Sequence, residues 1–389
     1  MHEVVIAGIG QTPVGEHWDV SLRELAARAI RAALENAPDL RPDALYVGNM
    51  LATVLSRQSQ LGSLIADYAG MDHVEATTVE AGGASGAMAL RVAYLAVASG
   101  AIDSALVLGV EKLSDQLPGE TESAFATHLD ADFEAVHGLT LTAQAAMLMR
   151  RYQHEYDVPQ DGFAGFAINA HANGVGNPNA MFQRAIKAES YARAGMVAEP
   201  LNMFDVAPAA DGAAAILLTR PEMLPDDHAH LPVYISGSSV VTDKLALHDR
   251  ANPLLWEAAR LSVERACEQA DIQPQDADLF EVYDAFSIYS ALSLEAAGFA
   301  VPGQGWQLAQ QGGIGIEGPL PVTTLGGLKA RGNPGGATGV YQAVEATMQL
   351  RQEAGENQVP GAKIALIQSL GGPGSTAVTH VLQCYPGDG

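Results

Sequence analysis

The chain has 389 residues, 48% of them hydrophobic and 17% charged, which is enough apolar material for two packed halves rather than a string of small modules. A formal net charge of −24 repels phosphate backbones and anionic lipid heads, so nucleic-acid and membrane-surface roles are disfavoured and an anionic ligand needs a local basic patch. No apolar run reaches the roughly 18 residues that cross a bilayer, and the two cysteines, Cys267 and Cys384, are too few for a disulfide framework. The expected compartment is the cytoplasm.

Met1-His2-Glu3-Val4-Val5-Ile6 reads directly as a strand, with no charged-then-apolar targeting segment before it. An amphipathic helix over Leu22 to Glu35 follows, then the short apolar strand Asp43 to Gly48. The turn Gly82-Gly83-Ala84-Ser85-Gly86 opens a helical stretch, Ala87 to Ser99, which leads to a strand over Ala105 to Val110. Residues 115–205 are richer in helix formers, His, Met and Arg, and read as an inserted loop region lying over the junction of two halves. Asp211 to Leu218 is a small-residue turn entering a strand, and Pro221 to Pro232 is the linker. The second half repeats the order: a helix over Leu255 to Ala270, a strand over Asp278 to Tyr283, the turn Gly335-Gly336-Ala337-Thr338-Gly339, a helix over Val340 to Gln352 and a strand over Ile364 to Ile367. Alternation of strand and helix predicts parallel sheets covered by helices. Its repetition predicts two pseudo-symmetric α/β halves, 1–220 (with the insertion) and 231–389.

Five segments together resemble the thiolase superfamily, nearest its archaeal and sterol-carrier-protein-type branch: Val79 to Gly86, Asp211 to Ala215, Asp284-Ala285-Phe286, Gly326 to Gly332 and Leu370 to Gly374. Their order spans essentially the whole chain. The resemblance implies two fused βαβαβαββ halves in a layered α-β-α-β-α arrangement with an inserted loop domain. It also implies acyl-CoA substrates, coenzyme A entering as part of the substrate with no tightly bound cofactor, and a homodimer or higher homo-oligomer. A small OB-fold acyl-CoA-binding partner is a further implication of the branch.

The residues at the reacting positions depart from that pattern. Such enzymes place a nucleophilic cysteine at a helix N-terminus, where the dipole and free N–H groups lower its pKa; the matching residue here is Gly83. Tyr283 stands where relatives carry histidine, and Asn333 where they carry the histidine that activates the cysteine. Ser85 matches the family's own serine and is not a substitute nucleophile. Tyr283 either donates as an acid or fills a strand end; Asn333 either donates to an oxyanion or satisfies a turn before Pro334. His137 matches a loop position that lies near the cavity in the family, or is simply exposed. Gly83 and Gly372 are expected to present backbone N–H groups as oxyanion donors. Ser85, Gly336 and Gly371 are expected beside the substrate. Lys329 and Arg331 either meet a CoA phosphate or pair with carboxylates. No Cys/His cluster has metal-site spacing.

Three functions compete. The first is carbon–carbon bond cleavage or formation on an acyl-CoA by a retro-aldol-type route, favoured because Tyr-Asp-Ala-Phe at Tyr283 looks like that of thiolase-like steroid side-chain aldolases. Those enzymes carry a second tyrosine near the later glycine turn, where this chain offers only Tyr341. The others are a non-catalytic or partner-dependent subunit, and acetyl-CoA C-acyltransferase activity by family naming.

Overall fold

The computed structural model describes residues 2–385, so Met1 of the expected first strand lies outside it. The strands are β1 (Val5–Gln11), β2 (Ala44–Gly48), β3 (Glu75–Val79), β4 (Ser104–Glu111), β5 (Met196–Ala198), β6 (Leu201–Asn202), β7 (Gly212–Thr219), β8 (Val233–Thr242), β9 (Leu279–Glu281), β10 (Ile364–Gly371) and β11 (Thr376–Gln383). All but β5 and β6 form one mixed sheet in the order β3-β2-β4-β7-β1-β8-β11-β10-β9. The order reads symmetrically from the middle: β1 and β8, then β7 and β11, then β4 and β10, then β2 and β9. The halves meet where β1 pairs with β8 at Val5–Tyr234 and Ile6–Val233.

The expectation of parallel sheets holds only at the flanks. β3, β2 and β4 run parallel, as do β9 and β10. The central pairs β4–β7, β7–β1, β8–β11 and β11–β10 are antiparallel. The reason is connectivity. The flanking strands are joined through helices that return the chain to its starting edge, whereas β10 and β11 are joined by a tight turn that reverses it.

Both faces of the sheet are apolar, as period-two alternation requires when helices cover each side. Leu106, Leu108 and Val110 of β4 face outward with Leu45, Val47, Ala215 and Leu217, onto α1 (Leu22–Glu35) and α2 (Leu61–Tyr68). Ala105 and Val107 face inward with Tyr46, Ile216 and Ile367, onto α3 (Ser85–Ala98) and α11 (Thr338–Leu350). On the far side the second half buries α8 (Glu257–Gln269) and α9 (Ser287–Ala296) against Phe280, Leu366, Leu370 and Val381. Together these clusters give five layers, helix–strand–helix–strand–helix. α1 forms because its apolar residues recur at Leu22, Leu25, Ala26, Ala29, Ile30 and Ala33, and the Ser21 hydroxyl caps it by accepting from the Glu24 N–H at 3.3 Å.

The two glycine turns explain each other. An ideal Cβ on Gly86 would stand 2.8 Å from the Gly336 carbonyl oxygen and 3.0 Å from the Val340 nitrogen, and one on Gly339 would stand 2.9 Å from the Ala87 Cα. α3 and α11 therefore cross backbone to backbone at their first turns, and only glycine permits that approach. The remaining helices are α4 (Pro118–Phe125), α5 (Leu141–Tyr156), α6 (Ala164–Val175), α7 (Ala188–Ala192) and α10 (Gly305–Gln310). Asp211 anchors the start of the inserted region: its carboxylate accepts from the Leu113 and Ser114 N–H groups at 2.6 and 2.9 Å and pairs with Lys112 at 2.9 Å. No described helix is long and apolar enough to cross a membrane.

Candidate active site

A cavity of about 780 Å³ opens where the halves and the inserted region meet. Gly83 comes from the first turn. Tyr283 and Phe286 lie between β9 and α9, Asn333 precedes the second turn, and Gly372 follows β10. The inserted region supplies α4, His128, Thr140 to Ala143, and Val197 and Ala198.

Tyr283 and Gly83 share one space. A Cβ on Gly83 would meet the Tyr283 hydroxyl in outright overlap, with the ring Cζ at 2.6 Å and the Leu370 carbonyl oxygen at 2.8 Å. The phenol thus lies against the opening turn of α3. Burial pushes its pKa well above the ordinary tyrosine value, and the carboxylates of Asp284 and Glu111 push it further the same way. It is a protonated donor at neutral pH, not a base.

Candidate donors line the same cavity. The Gly83 and Gly372 N–H groups have no acceptor among the described residues. Gly372 adopts φ +56°, a left-handed conformation that favours glycine and turns the backbone after β10. Asn333 is oriented: its Oδ1 accepts from the Gly335 N–H at 3.1 Å, so the amide nitrogen is the donor left for the cavity. Glu111, fully buried beneath the second turn, accepts from Met50 N–H at 3.0 Å, Leu51 N–H at 3.1 Å, Gly336 N–H at 3.0 Å and the Asn49 amide at 2.8 Å. Burial raises its pKa to about 7 against those bonds.

Several expected site residues are placed elsewhere. His137 ends a short exposed turn, Ala135–His137, and does not line the cavity; His128, one turn of chain earlier, does. Lys329 and Arg331 are buried and do not line the cavity. The Lys329 ammonium donates to the Asp205 carbonyl oxygen at 2.7 Å, and burial lowers its pKa to about 8; Arg331 pairs with Glu345 at 2.6 Å, with both side chains no more than 1% exposed. A wide turn, Gly327–Arg331, folds both inward because Asp284 accepts from the Leu328 N–H at 2.7 Å. Ser85 shapes the first turn, accepting from Ala81 N–H at 2.9 Å and donating to the Gly82 carbonyl oxygen at 2.6 Å. The Gly336 N–H is taken by Glu111, and the Gly371 carbonyl oxygen by the Ser375 N–H at 3.1 Å and hydroxyl at 2.9 Å. Neither glycine lines the cavity. Tyr341 is buried within α11, donating to the Thr12 carbonyl oxygen at 2.9 Å, so it is not the cavity's second tyrosine.

That second phenol is Tyr289, wedged edge-on against Trp256 and Phe286 with both ring centroids 5.0 Å away. Its spacing from Phe286, three residues along α9, is the one sequence signal that could have found it. His128 had no such signal. The cysteines lie elsewhere: Cys267 is buried in α8, where burial pushes its thiol up to about 11, and Cys384 follows β11. Among the described residues no group of three or more His, Cys, Asp or Glu is placed to hold a metal.

The chain matches the families described as Thiolase, N-terminal domain, over residues 4–222, and Thiolase C-terminal domain-like, over residues 239–384. It belongs to the thiolase superfamily. Among its relatives, the acetyl-CoA acetyltransferase of Methanothermobacter thermautotrophicus is 40% identical over 98% of this chain and 99% of that one. The benzoylsuccinyl-CoA thiolase subunit BbsB of Thauera aromatica is 30% identical over 97% and 94%. A solved structure described as Ltp2-ChsH2(DUF35) aldolase superposes with a TM-score of 0.83 at 25% identity, covering 98% of each chain. Human mitochondrial 3-ketoacyl-CoA thiolase shares the fold, with a TM-score of 0.75 at 16% identity over 99% of each chain.

Proposed function

We propose that this thiolase-superfamily protein cleaves or forms a carbon–carbon bond on an acyl-CoA by a retro-aldol-type route, with no acyl group carried on the protein. The observation that carries the reading is the phenol of Tyr283 filling the space into which any side chain at position 83 would project. A covalent acyl transfer needs a nucleophile beside a base, and neither cysteine of the chain borders this cavity. A retro-aldol step needs only proton movement and an oxyanion site. A base takes the proton of the β-hydroxyl, the C–O bond becomes a carbonyl, and the Cα–Cβ bond breaks. The electron pair passes to the thioester as an enolate, held by the Gly83 and Gly372 N–H groups and the Asn333 amide. Tyr283 then protonates Cα, and an aldehyde or ketone leaves beside the shortened acyl-CoA.

A partner-dependent form of this reading has its own support. No lysine or arginine lines the cavity, and its rim carries Glu16 and Glu122. The lining itself therefore offers the phosphates of coenzyme A no cation among the described residues. A small OB-fold protein supplying those cations, as a second component of a homo-oligomeric assembly, fits the charge balance, and the aldolase relative is described together with a DUF35 component.

The test presents labelled acetyl-CoA and a tertiary β-hydroxyacyl-CoA, 3-hydroxy-3-methylbutyryl-CoA, to the purified protein with and without its co-purifying partner. The expected result is no covalent adduct, release of acetone and acetyl-CoA, and loss of release by about 10²-fold or more in Tyr283→Phe. Label trapped on any residue would overturn the reading in favour of acetyl-CoA acyltransfer. Acyl-CoA binding with no turnover would favour a non-catalytic subunit.

A further inference from the structure

Five titratable side chains line the cavity among the described residues: Glu16, Glu122, His128, Tyr283 and Tyr289. Glu16 is exposed and Glu122 half-buried on α4, both towards solvent. Burial pushes the phenols of Tyr283 and Tyr289 upward, which leaves them protonated and unable to accept at neutral pH. His128 is the one imidazole among them.

Its placement is specific. It ends the short turn Ala126–His128 that follows α4, with the Phe125 ring edge-on at 6.4 Å. Its carbonyl oxygen lies 3.4 Å from where a Cβ on Gly372 would stand. Gly371 in turn abuts Gly82, whose ideal Cβ would be 3.2 Å from the Gly371 Cα. The turn that carries His128 therefore stands beside the Gly371–Gly372 backbone, and its side chain lines the same cavity as the Tyr283 phenol. The imidazole Nε2 is buried and has no hydrogen-bond partner among the described residues, so no structural hydrogen bond occupies that nitrogen.

We infer that His128 is the general base of this cavity, taking the β-hydroxyl proton while Tyr283 delivers one to Cα. The inference rests on the proposed carbon–carbon cleavage. The proton taken by His128 and the one given by Tyr283 balance, and return of the proton from imidazolium to phenolate through water resets the site with no co-reactant. Burial lowers the pKa of His128, opposed by the carboxylate of Glu80, which is itself tied to the Gly82 N–H at 2.6 Å, while the Phe125 ring edge-on to it carries no charge. The ring is therefore neutral and able to accept at pH 7.

The experiment measures acetone release from 3-hydroxy-3-methylbutyryl-CoA against pH for the wild-type protein, His128→Gln and His137→Gln, each with any co-purifying partner. The wild-type rate is expected to rise with pH through a midpoint below the ordinary histidine value and stay level above it. His128→Gln should fall by about 10²-fold or more and lose that acidic limb; His137→Gln should match wild type. In parallel, ¹⁵N-histidine spectra of the wild-type protein, assigned by difference against His128→Gln, should show the ring neutral at pH 7 and perturbed by the acyl-CoA. An active wild type whose acidic limb survives in His128→Gln, or a His128 ring charged at pH 7, would overturn the inference while leaving the cleavage intact. A wild type that releases nothing at any pH would remove the cleavage reading and this inference with it.

Discussion

Gly83 and Tyr283 are one feature written at two positions 200 residues apart. The missing side chain at 83 makes room for the phenol, and the phenol excludes any larger residue at 83. Gly83→Ala is therefore expected to destabilise the protein by about 1–3 kcal/mol through overpacking. Combining it with Tyr283→Ala should recover at least about 0.5 kcal/mol of that loss as coupling energy. Recovery is incomplete because the Leu370 carbonyl oxygen, 2.8 Å from the added Cβ, is backbone and remains. Urea unfolding of the two single variants and the double variant measures the cycle. Additive losses would mean that the overlap relaxes by a shift of the turn. Introducing cysteine alone at 83 meets the same obstruction, so a single Gly83→Cys exchange is not expected to restore a usable thiol.

Among the elements, the pair of helices α3 and α11 carries the most constraint. Their first turns interlock through Gly86 and Gly339, and the same turns carry Gly83 and place Asn333. Gly339→Ala puts a methyl within 2.9 Å of the Ala87 Cα, backbone against backbone, and is expected to cost at least about 2 kcal/mol. Gly119→Ala, on α4 with nothing within 4 Å of the added carbon, should change stability by no more than about 0.5 kcal/mol. Chemical unfolding of the two variants compares them directly; equal effects would mean that the helix crossing is looser than the interlock requires. The helices themselves were legible in the sequence: Leu22 to Glu35 and Leu255 to Ala270 by their amphipathic periodicity, and the stretches after the glycine turns by the turns that open them. The strand directions were less so: antiparallel pairing of β4 with β7 depends on how the inserted region returns the chain, which no local pattern records.

At the scale of the whole molecule, the charge distribution matters more than any single group. The chain carries a net charge of −24, and among the described residues no lysine or arginine lines the cavity, so under the proposed function the lining would hold the acyl and pantetheine parts of the ligand without help for the nucleotide phosphates. For the chain alone, acyl-pantetheine and acyl-CoA are expected to bind within about threefold of each other. With a cationic OB-fold partner present, acyl-CoA should be preferred by about tenfold or more, with a steeper salt dependence. Isothermal titration with the two thioesters, with and without the partner, reads the difference. A strong preference for acyl-CoA by the chain alone would show that cations outside the cavity reach the phosphates.

The sequence by itself determined the duplication, the α/β layering and the turn that lacks a cysteine, because each is written in local patterns: helical and strand periodicity, repeated glycines, and the identity of residue 83. It also drew attention to Tyr283, Asn333 and Gly372, all of which line one cavity. Tertiary structure alone decided the rest. The sequence leaves Lys329 and Arg331 open to meet a phosphate or to pair with carboxylates; a wide turn folds both inward, where Lys329 donates to the Asp205 carbonyl oxygen and Arg331 pairs with Glu345. His137 and His128 are indistinguishable as loop histidines until the inserted region packs over the junction, which half-buries His128 against the cavity and leaves His137 in solvent. Burial and long-range proximity fix a side chain's chemistry, and both are properties of the packed chain rather than of any short stretch of it.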